Sequence, residues 1–335
     1  MGRIPARFTL RHSALYLIVL AGSSFCPRAS LNAQQGQEPP CATRTVLVGV
    51  INRDGSPVEG LEAANFRAGF PVQILSVAHE SRPRRIVILL DASGSMLRGM
   101  ANSLSVAVHM ASYAPANSAV SLLTFGGRIV GRVDFAGGRQ GVLQELENIR
   151  LGRTSKAYGT GRTALYDAIL EAVKTLGPSS EGDVIYAITD GGENASHNRH
   201  REVDNALLGA HLRLFAFVLA SPGARTPEEM SGPYTLREFV LNSGGNFAYA
   251  GPLGVEIDGE HPRPADDAAA MDVALRRLYG QMTDVYRLEI KLAAPVDKLR
   301  SWKLELVERL GVNKKNLHLL YPHKLMPCNA NDSPH

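Results

Sequence analysis

Oxygen-bearing side chains lie in three short segments that could act together. They are Asp91, Ser93, Ser95, Thr163 and Asp190. The first segment directly follows the apolar run Ile86–Leu90, and the third follows the apolar run Val184–Ile188. Carboxylate, hydroxyl and water oxygens are the ligands that hard divalent cations prefer. The residue types therefore predict a site for Mg²⁺, with Mn²⁺ or Ca²⁺ as the other candidates.

The charge that such a site leaves on its cation decides what the site can do. Where neutral hydroxyls and waters dominate the coordination shell, the cation keeps much of its positive charge. It then attracts an acidic oxygen from outside the chain. We therefore expect a recognition site for a protein ligand that presents a carboxylate, and not a hydrolytic centre.

Each segment also has a simpler interpretation. Asp91–Ser95 could be an ordinary strand-to-helix turn with an N-cap, and Asp190–Gly192 could be only a tight turn. The glycines of Gly159–Ala164 resemble a dinucleotide fingerprint, but no strand precedes them. Ser95 lacks the Gly-x-Ser-x-Gly setting of a nucleophile. Three histidines near these segments are interpreted as surface or cap residues: His197, His200 and His211.

The elements that must position these residues alternate along the chain. Between residues 84 and 250, apolar strand-like runs are separated by amphipathic helical segments such as Ala164–Leu176. This alternation predicts an α/β domain with a doubly wound, mostly parallel sheet. Ligands of such sheets bind at the carboxyl ends of the strands, so the five oxygen-bearing residues should meet at one edge.

Two flanking segments alternate like β-strands. They cover residues 42–80 and 283–328, and each is too short to fold securely alone. Together they could form a small β-sandwich-like domain that flanks the α/β domain or into which it is inserted. Residues 251–282 are predicted as a linker, with a loop over 251–264 followed by a helix.

Residues 1–33 have the layout of a secretory signal peptide. A basic front, Arg3–Arg11, precedes a short apolar run that is too short to span a bilayer. We expect a secreted or periplasmic protein. After cleavage two cysteines would remain, Cys41 and Cys328. In an oxidising compartment these favour a disulfide, with two free thiols as the alternative.

The net charge of +4 gives no indication of nucleic acid as a partner. Four of the 36 Lys and Arg residues lie within residues 1–33, which contain no acid. The remaining 32 basic residues equal the 32 Asp and Glu residues, so the rest of the chain is formally neutral. A neutral body is not drawn to phosphate backbones or anionic membranes. After the leader, no apolar stretch is long enough for a membrane span.

The three segments resemble the metal-ion-dependent adhesion site of the von Willebrand factor type A domain, over roughly residues 84–250. By that resemblance Ser93, Ser95 and Thr163 would contact the metal directly. The aspartates, Asp91 and Asp190, would often act through water. The sequence departs from the family at Arg162, where a glycine is common. An arginine there could clamp an acidic ligand.

A narrower resemblance is to the secreted von Willebrand A-related proteins of Acidobacteria. In those proteins a leader, an Asp-Gly-containing β segment (here Arg53–Val58) and a C-terminal β tail flank the A domain. The favoured function is a non-enzymatic, divalent-cation-dependent protein-binding or adhesion module. The alternative is a structural subunit of an envelope or secretion assembly whose metal site is vestigial or only stabilising. A metal-dependent hydrolase is disfavoured because no well-placed base accompanies the motif.

Overall fold

The sheets and helices of this protein are taken from a computed structural model. It describes residues 42–52, 55–69, 72–82, 84–154, 161–219, 227–251, 254–257, 268–307 and 317–327. These residues all belong to one compact unit, Pro39–His335. The predicted leader and both Cys41 and Cys328 lie outside the described residues.

The described strands fall into one large sheet and several smaller ones. In chain order they are β1 (Thr43–Asn52), β2 (Phe66–Ala68), β3 (Val72–Ser81), β4 (Ile86–Asp91), β5 (Val120–Phe125), β6 (Ile129–Val133), β7 (Val184–Thr189), β8 (Arg213–Leu219), β9 (Phe247–Gly251), β10 (Gly254–Ile257), β11 (Asp284–Leu292), β12 (Arg300–Ser301), β13 (Leu304–Leu306), β14 (Leu317–Leu320) and β15 (Lys324–Leu325).

The described α-helices connect these strands and cover the large sheet. They are α1 (Met100–Tyr113), α2 (Gly138–Arg150), α3 (Leu165–Leu176), α4 (His200–Gly209), α5 (Pro227–Ser243) and α6 (Ala268–Thr283). Two short 3-10 helices occupy Ala63–Asn65 and Ser95–Arg98. Among the described helices, none combines the length and the apolar character that a bilayer crossing requires.

The central sheet has seven strands in the order β10-β9-β8-β7-β4-β5-β6. Its five inner strands are parallel to one another. Both edge strands are antiparallel to their neighbours. The predicted α/β fold with a doubly wound, mostly parallel sheet is therefore confirmed.

The apolar runs of the inner strands serve both faces of the sheet. In β4, Ile86, Ile88 and Leu90 belong to the core formed with α1, α2 and α6. The intervening Val87 and Leu89 belong to the second core, formed with α3, α4 and α5. Because successive side chains of a strand point to opposite faces, a strand covered on both sides must be apolar throughout. Full burial of each such side chain contributes about 1.5–3 kcal/mol.

The path of the chain creates a crevice between β4 and β7. From β4 the chain moves to β5 on one side, and it later returns to place β7 on the other side of β4. The connections on the two sides therefore diverge at the carboxyl ends of these two strands. Such a switch point is the usual ligand position in an open α/β sheet.

A second, antiparallel sheet is built from both ends of the described chain. Its order is β14-β1-β11-β3, so segments before and after the central sheet alternate in it. The small ladder of β2 with β13 joins the same two parts of the chain, whereas β12 and β15 pair within the C-terminal part. One apolar cluster holds the unit together, including Val48, Phe66, Tyr286 and Leu288. Neither segment could cover this cluster without the other.

Two elements differ from the sequence prediction. The loop predicted over 251–264 contains an edge strand, β10, which pairs with β9. The edge strand β6 was not predicted, because Gly131 and Arg132 interrupt its apolar pattern. Helix α5 begins at Pro227 and continues through Gly232 and Pro233, two residues with poor helix propensity.

Candidate metal centre

Asp91 is the last residue of β4 and is completely buried. Its Oδ1 accepts a hydrogen bond from the backbone N–H of Ser93 at 2.9 Å. Its Oδ2 accepts one from the hydroxyl of Thr189 at 2.6 Å. The hydroxyl oxygens of Ser93 and Ser95 lie 3.2 Å apart. The first segment is therefore a turn that holds one carboxylate and two hydroxyls together.

Asp190 follows β7 on the other side of the crevice. Its side chain is buried, and its Oδ1 accepts a hydrogen bond from the backbone N–H of Gly192 at 3.0 Å. Its Oδ2 is also buried, and no donor among the described residues reaches it. An unpaired buried carboxylate oxygen is costly, so this atom indicates a missing cation or other donor.

The two aspartates affect each other. Burial, and then the neighbouring charge of Asp190, raise the pKa of Asp91 to about 7, and hydrogen bonds from Thr189 and Ser93 only partly oppose this. Two buried carboxylates that lie close together repel each other when both are ionised. A divalent cation between them would remove both the repulsion and the desolvation cost.

Thr163 is buried and lies just before α3. Its backbone N–H donates to the side-chain oxygen of Asn194 at 2.9 Å, and its carbonyl accepts from the N–H of Asn194 at 2.9 Å. A Cβ placed on Gly192 would be 3.1 Å from Oδ1 of Asp190 and 3.9 Å from Oγ1 of Thr163. The two oxygens thus face the same glycine from different loops.

The first and second segments are also in contact with each other. The backbone N–H of Gly94 donates to the carbonyl of Gly161 at 3.2 Å, which joins the first segment to the second. The structure therefore brings the loops of all five predicted residues to one edge of the sheet. Whether these residues ligate a metal stays a prediction.

Several residues that organise this edge were not predicted. Thr189 orients Asp91, and its hydroxyl also accepts a hydrogen bond from the backbone N–H of Gly191 at 3.0 Å. Glu193 accepts four hydrogen bonds: the N–H groups of Ala195 and Ser196, the hydroxyl of Ser196, and the N–H of Tyr166 in the first turn of α3. This carboxylate fastens the third segment to the second. The polar run Glu193–Asn198 was the available signal in the sequence.

Asp167, in the first turn of α3, also holds the loop after the third segment against the second segment. It accepts hydrogen bonds from His197 and from both nitrogens of Asn198. Burial alone would raise the pKa of Asp167, but these hydrogen bonds outweigh it and lower the pKa to about 2. His197 is exposed at this position, in keeping with the surface location expected for it.

Arg162 precedes Thr163 and is exposed. One of its terminal nitrogens donates to the backbone carbonyl of Asn194. The guanidinium group therefore stays beside the loops that carry the five oxygen-bearing residues.

A second acidic group lies between α4 and α5. One ligand-type atom from each of His200, Asp204 and Glu238 lies within 4.8 Å of the others. The ammonium group of Lys324, however, is 3.1 Å from Asp204 and 3.7 Å from Glu238. Asn242 also donates to both carboxylate oxygens of Asp204. The side chain of Lys324 is therefore the cation that neutralises this acidic group.

At the crevice, by contrast, all candidate ligands are oxygens. Zn²⁺ is usually bound by nitrogen or sulfur, whereas Mg²⁺ takes carboxylates, hydroxyls and waters. The buried, unpaired Oδ2 of Asp190 and the donor set around it therefore fit a hard divalent cation.

Comparison with known families agrees with this fold and motif. Residues 86–193 match the von Willebrand factor type A domain, a stretch that runs from β4 through the third oxygen-bearing segment. The chain contains a von Willebrand factor type A domain. Its five oxygen-bearing residues all fall within the matched stretch.

Solved structures that resemble the chain share little sequence with it. A conserved hypothetical protein, BatB, from Bacteroides thetaiotaomicron is 17% identical, with 58% of this chain and 98% of that one covered at a TM-score of 0.39. Manganese-loaded TRAP protein from Plasmodium vivax is 15% identical, with 73% and 95% covered at 0.39. A von Willebrand factor type A protein from Catenulispora acidiphila is 11% identical, with 87% and 75% covered at 0.34. No curated protein matches the chain.

Proposed function

We propose that this chain is a non-enzymatic protein-binding module that depends on a divalent cation. Asp91, Ser93, Ser95, Thr163 and Asp190 would hold Mg²⁺, or Mn²⁺ or Ca²⁺ in its place. The bound metal would supply an open coordination position for a carboxylate of a protein partner. The observation that carries the proposal is the buried Oδ2 of Asp190, which has no donor among the described residues.

The rest of the site supports recognition because its loops are already held in place. Thr189 orients Asp91, and Glu193 and Asn194 fix the loop of Thr163. A preorganised site loses little conformational freedom when a metal and a partner bind. Metal and partner should strengthen each other's binding, since the partner's oxygen completes the shell.

We propose a non-catalytic role because the nearby carboxylates that are not assigned to the metal are already engaged. Glu193 accepts four hydrogen bonds, and Asp167 is bonded to His197 and Asn198. A general base needs a free acceptor within reach of the reacting water. Turnover of simple phosphate or carboxylic esters by the purified protein in Mg²⁺ would contradict this part of the proposal.

Metal binding can be measured directly. Calorimetric titration of the purified protein with Mg²⁺, Mn²⁺ and Ca²⁺ should show one site, and Zn²⁺ should not compete at equal concentration. Absence of heat with all three hard cations, together with unchanged thermal stability in EDTA, would favour the alternative of a structural subunit with a vestigial site.

Partner binding needs a defined probe. A short peptide with one central Glu should bind in Mg²⁺ and lose binding in EDTA. The matched peptide with Gln at that position should not bind in either buffer, because an amide leaves the metal's charge uncompensated. Equal binding of both peptides would contradict the role of a carboxylate.

We further propose that the protein acts outside the cytoplasm. The leader-like layout of residues 1–33 and the two remaining cysteines support export. Mass spectrometry of protein recovered from the medium or periplasm should give an N-terminus near Gln34. Recovery of the chain with Met1 intact would contradict export by cleavage.

A further inference from the structure

The loops around the candidate metal centre carry exposed arginines. Arg98 ends the 3-10 helix that begins at Ser95, Arg128 lies in the turn between β5 and β6, and Arg162 precedes Thr163. All three side chains are exposed. We call these three residues the basic rim.

The basic rim is assembled by backbone contacts between the loops. The carbonyl of Gly126, in the turn that carries Arg128, accepts a hydrogen bond from the N–H of Ala164 at 2.8 Å. A Cβ placed on Gly127 would be 3.7 Å from the carbonyl oxygen of Arg162. The contact between Gly94 and Gly161 joins the loop of Arg98 to the same group. The three arginines therefore lie on loops that meet at one edge of the sheet.

No carboxylate among the described residues contacts a side chain of the basic rim. Residues 92–99, 126–130 and 161–166 contain no Asp or Glu, and the carboxylates that adjoin them, Asp91, Asp167, Asp190 and Glu193, are bonded to other groups or belong to the candidate metal centre. Within the described part of the chain, the side chains of Arg98 and Arg128 form no hydrogen bond or ion pair, and that of Arg162 contacts only the carbonyl of Asn194. Several arginines elsewhere do contact a carboxylate. They include Arg67, Arg85, Arg132, Arg150, Arg276 and Arg287.

We propose that the partner presents a cluster of carboxylates on an acidic protein segment, and not a single acid. This inference rests on the proposed function of the same site. One carboxylate of the segment completes the metal shell, and its neighbours pair with the basic rim. Because the chain beyond residue 33 is formally neutral, this preference comes from the local arrangement and not from the net charge.

The basic rim also sets a limit on selectivity. Exposed ion pairs are individually weak, so two or three of them should raise affinity only about tenfold. They should act mainly on the association rate and on salt dependence. The metal would supply the requirement for an acid, and the basic rim would supply the preference for acidic clusters.

Two peptides test this preference. One carries a single central Glu among Ser and Gly, and the other carries the same Glu with two further Glu residues beside it. In Mg²⁺ the second peptide should bind the wild-type protein about tenfold more tightly, and the difference should shrink as salt is added. Equal affinities would overturn the inference while leaving the proposed function intact.

Matched variants locate the effect. In the double variant Arg98→Gln/Arg128→Gln the preference should fall to about twofold or less, while calorimetric Mg²⁺ binding is retained. In the control Lys298→Gln/Arg300→Gln, which removes the same charge from exposed positions near β12, the tenfold preference should persist. Loss of preference in both variants would overturn the assignment to the basic rim.

Two further outcomes separate the possible failures. Binding of the acidic peptide that survives EDTA but is lost in the double variant would contradict the proposed function, since the metal would not be required. Tighter Mg²⁺-dependent binding of a sulfated polysaccharide than of the acidic peptide would overturn the choice of an acidic protein segment.

Discussion

The two ends of the central sheet compensate their buried charges to different degrees. At the carboxyl ends of β4 and β7 the buried groups are the carboxylates of Asp91 and Asp190. At the amino ends, beside β4, β7 and β8, they are the guanidinium groups of Arg84 and Arg213 and the carboxylate of Asp183, which is paired with Arg85. Burial of an ionised group is expensive at either end, so each end must compensate the charge.

The amino end compensates most of its charge from within the chain, although Nε of Arg84 and Nε of Arg213 are buried without an acceptor among the described residues. Arg213 donates to the carbonyls of Gln281 and Met282, in the last turn of α6, and its guanidinium lies 5.2 Å from the centre of the Phe215 ring. Carbonyls at a helix C-terminus carry partial negative charge and suit a cation. Burial, and then the nearby Arg84, lower the pKa of Arg213 to about 9, which leaves it charged at neutral pH.

The carboxyl end leaves part of its charge uncompensated. Oδ1 of Asp190 has a donor, but its Oδ2 has none among the described residues. This difference in the pairing of buried charges indicates which end of the sheet binds a ligand. A buried charge that the chain pairs with its own groups joins parts of the fold, whereas an unpaired buried carboxylate oxygen indicates a group from outside.

The largest expected effect concerns the antiparallel sheet β14-β1-β11-β3, which contacts the amino end of the central sheet where Arg287 pairs with Glu181. The guanidinium group of Arg44 donates to the carbonyl of Met326 at 2.5 Å, and these residues lie three and two positions from Cys41 and Cys328. If the cysteines are bridged, Cys41→Ser should lower the free energy of unfolding by about 2–5 kcal/mol. Urea denaturation without reductant measures this. Two free thiols in the unreduced, denatured protein would refute the bridge.

The second prediction tests compensation at the amino end. Arg213→Met keeps much of the apolar stem but leaves two helix-terminal carbonyls without donors. The free energy of unfolding should fall by about 3 kcal/mol. Arg300→Met, at an exposed position, is the control and should change it by less than about 0.5 kcal/mol. Mg²⁺ affinity should stay unchanged in both variants. A loss of metal binding in Arg213→Met would contradict the claim that the two ends of the sheet act independently.

The third prediction tests the carboxyl end. In Asp190→Asn the amide oxygen can still accept from Gly192, but the buried negative charge is gone. Calorimetric Mg²⁺ affinity should fall about 100-fold, or about 2.8 kcal/mol. Without metal the variant should be no less stable than the wild type, because the repulsion with Asp91 is removed.

Asp183→Asn is the matched control for that variant. Asp183 is also buried and precedes β7, but it is paired with Arg85 at the opposite end of the sheet. This change should lower the free energy of unfolding and leave Mg²⁺ affinity unaffected. The reverse pattern in the two variants would contradict the comparison of the two ends.

The smallest effect is expected for the residue that orients Asp91. Thr189→Val removes a hydroxyl that donates to Asp91 and accepts from Gly191. Mg²⁺ affinity should fall about tenfold, as is common when a group that positions a metal ligand is lost. Thr124→Val is the control, since Thr124 is buried on β5 and its hydroxyl has no partner among the described residues. Equal losses in both variants would show that Thr189 acts only through packing.

The local pattern of the sequence determined much of this architecture. Continuous apolar runs such as Ile86–Leu90 predicted strands buried on both faces, and helical periodicity between them predicted the doubly wound sheet. Polar segments directly after two of these runs then had to lie at the carboxyl edge. Each of these inferences depends on side chains that are close together in the chain.

Edge elements were predicted less well, because contacts distant in sequence decide them. Gly232 and Pro233 have the poorest helix propensities, yet α5 continues through both. Its backbone packs directly on the third segment: a Cβ on Gly232 would be 2.1 Å from the carbonyl oxygen of Gly191. Close approach of two backbones requires glycine at that point, and this contact outweighs the poor helix propensity.

Only the tertiary structure decided how the polar atoms pair. The sequence contains Asp91, Thr189 and Asp190, but nothing local shows that the Thr189 hydroxyl occupies one oxygen of Asp91 and that Oδ2 of Asp190 is left over. Arg213 likewise finds its carbonyl partners about 70 positions away in α6. Apolar burial follows from composition and periodicity, whereas a hydrogen bond needs two specific atoms at one distance and angle. That geometry exists only after distant loops have been brought together by the fold.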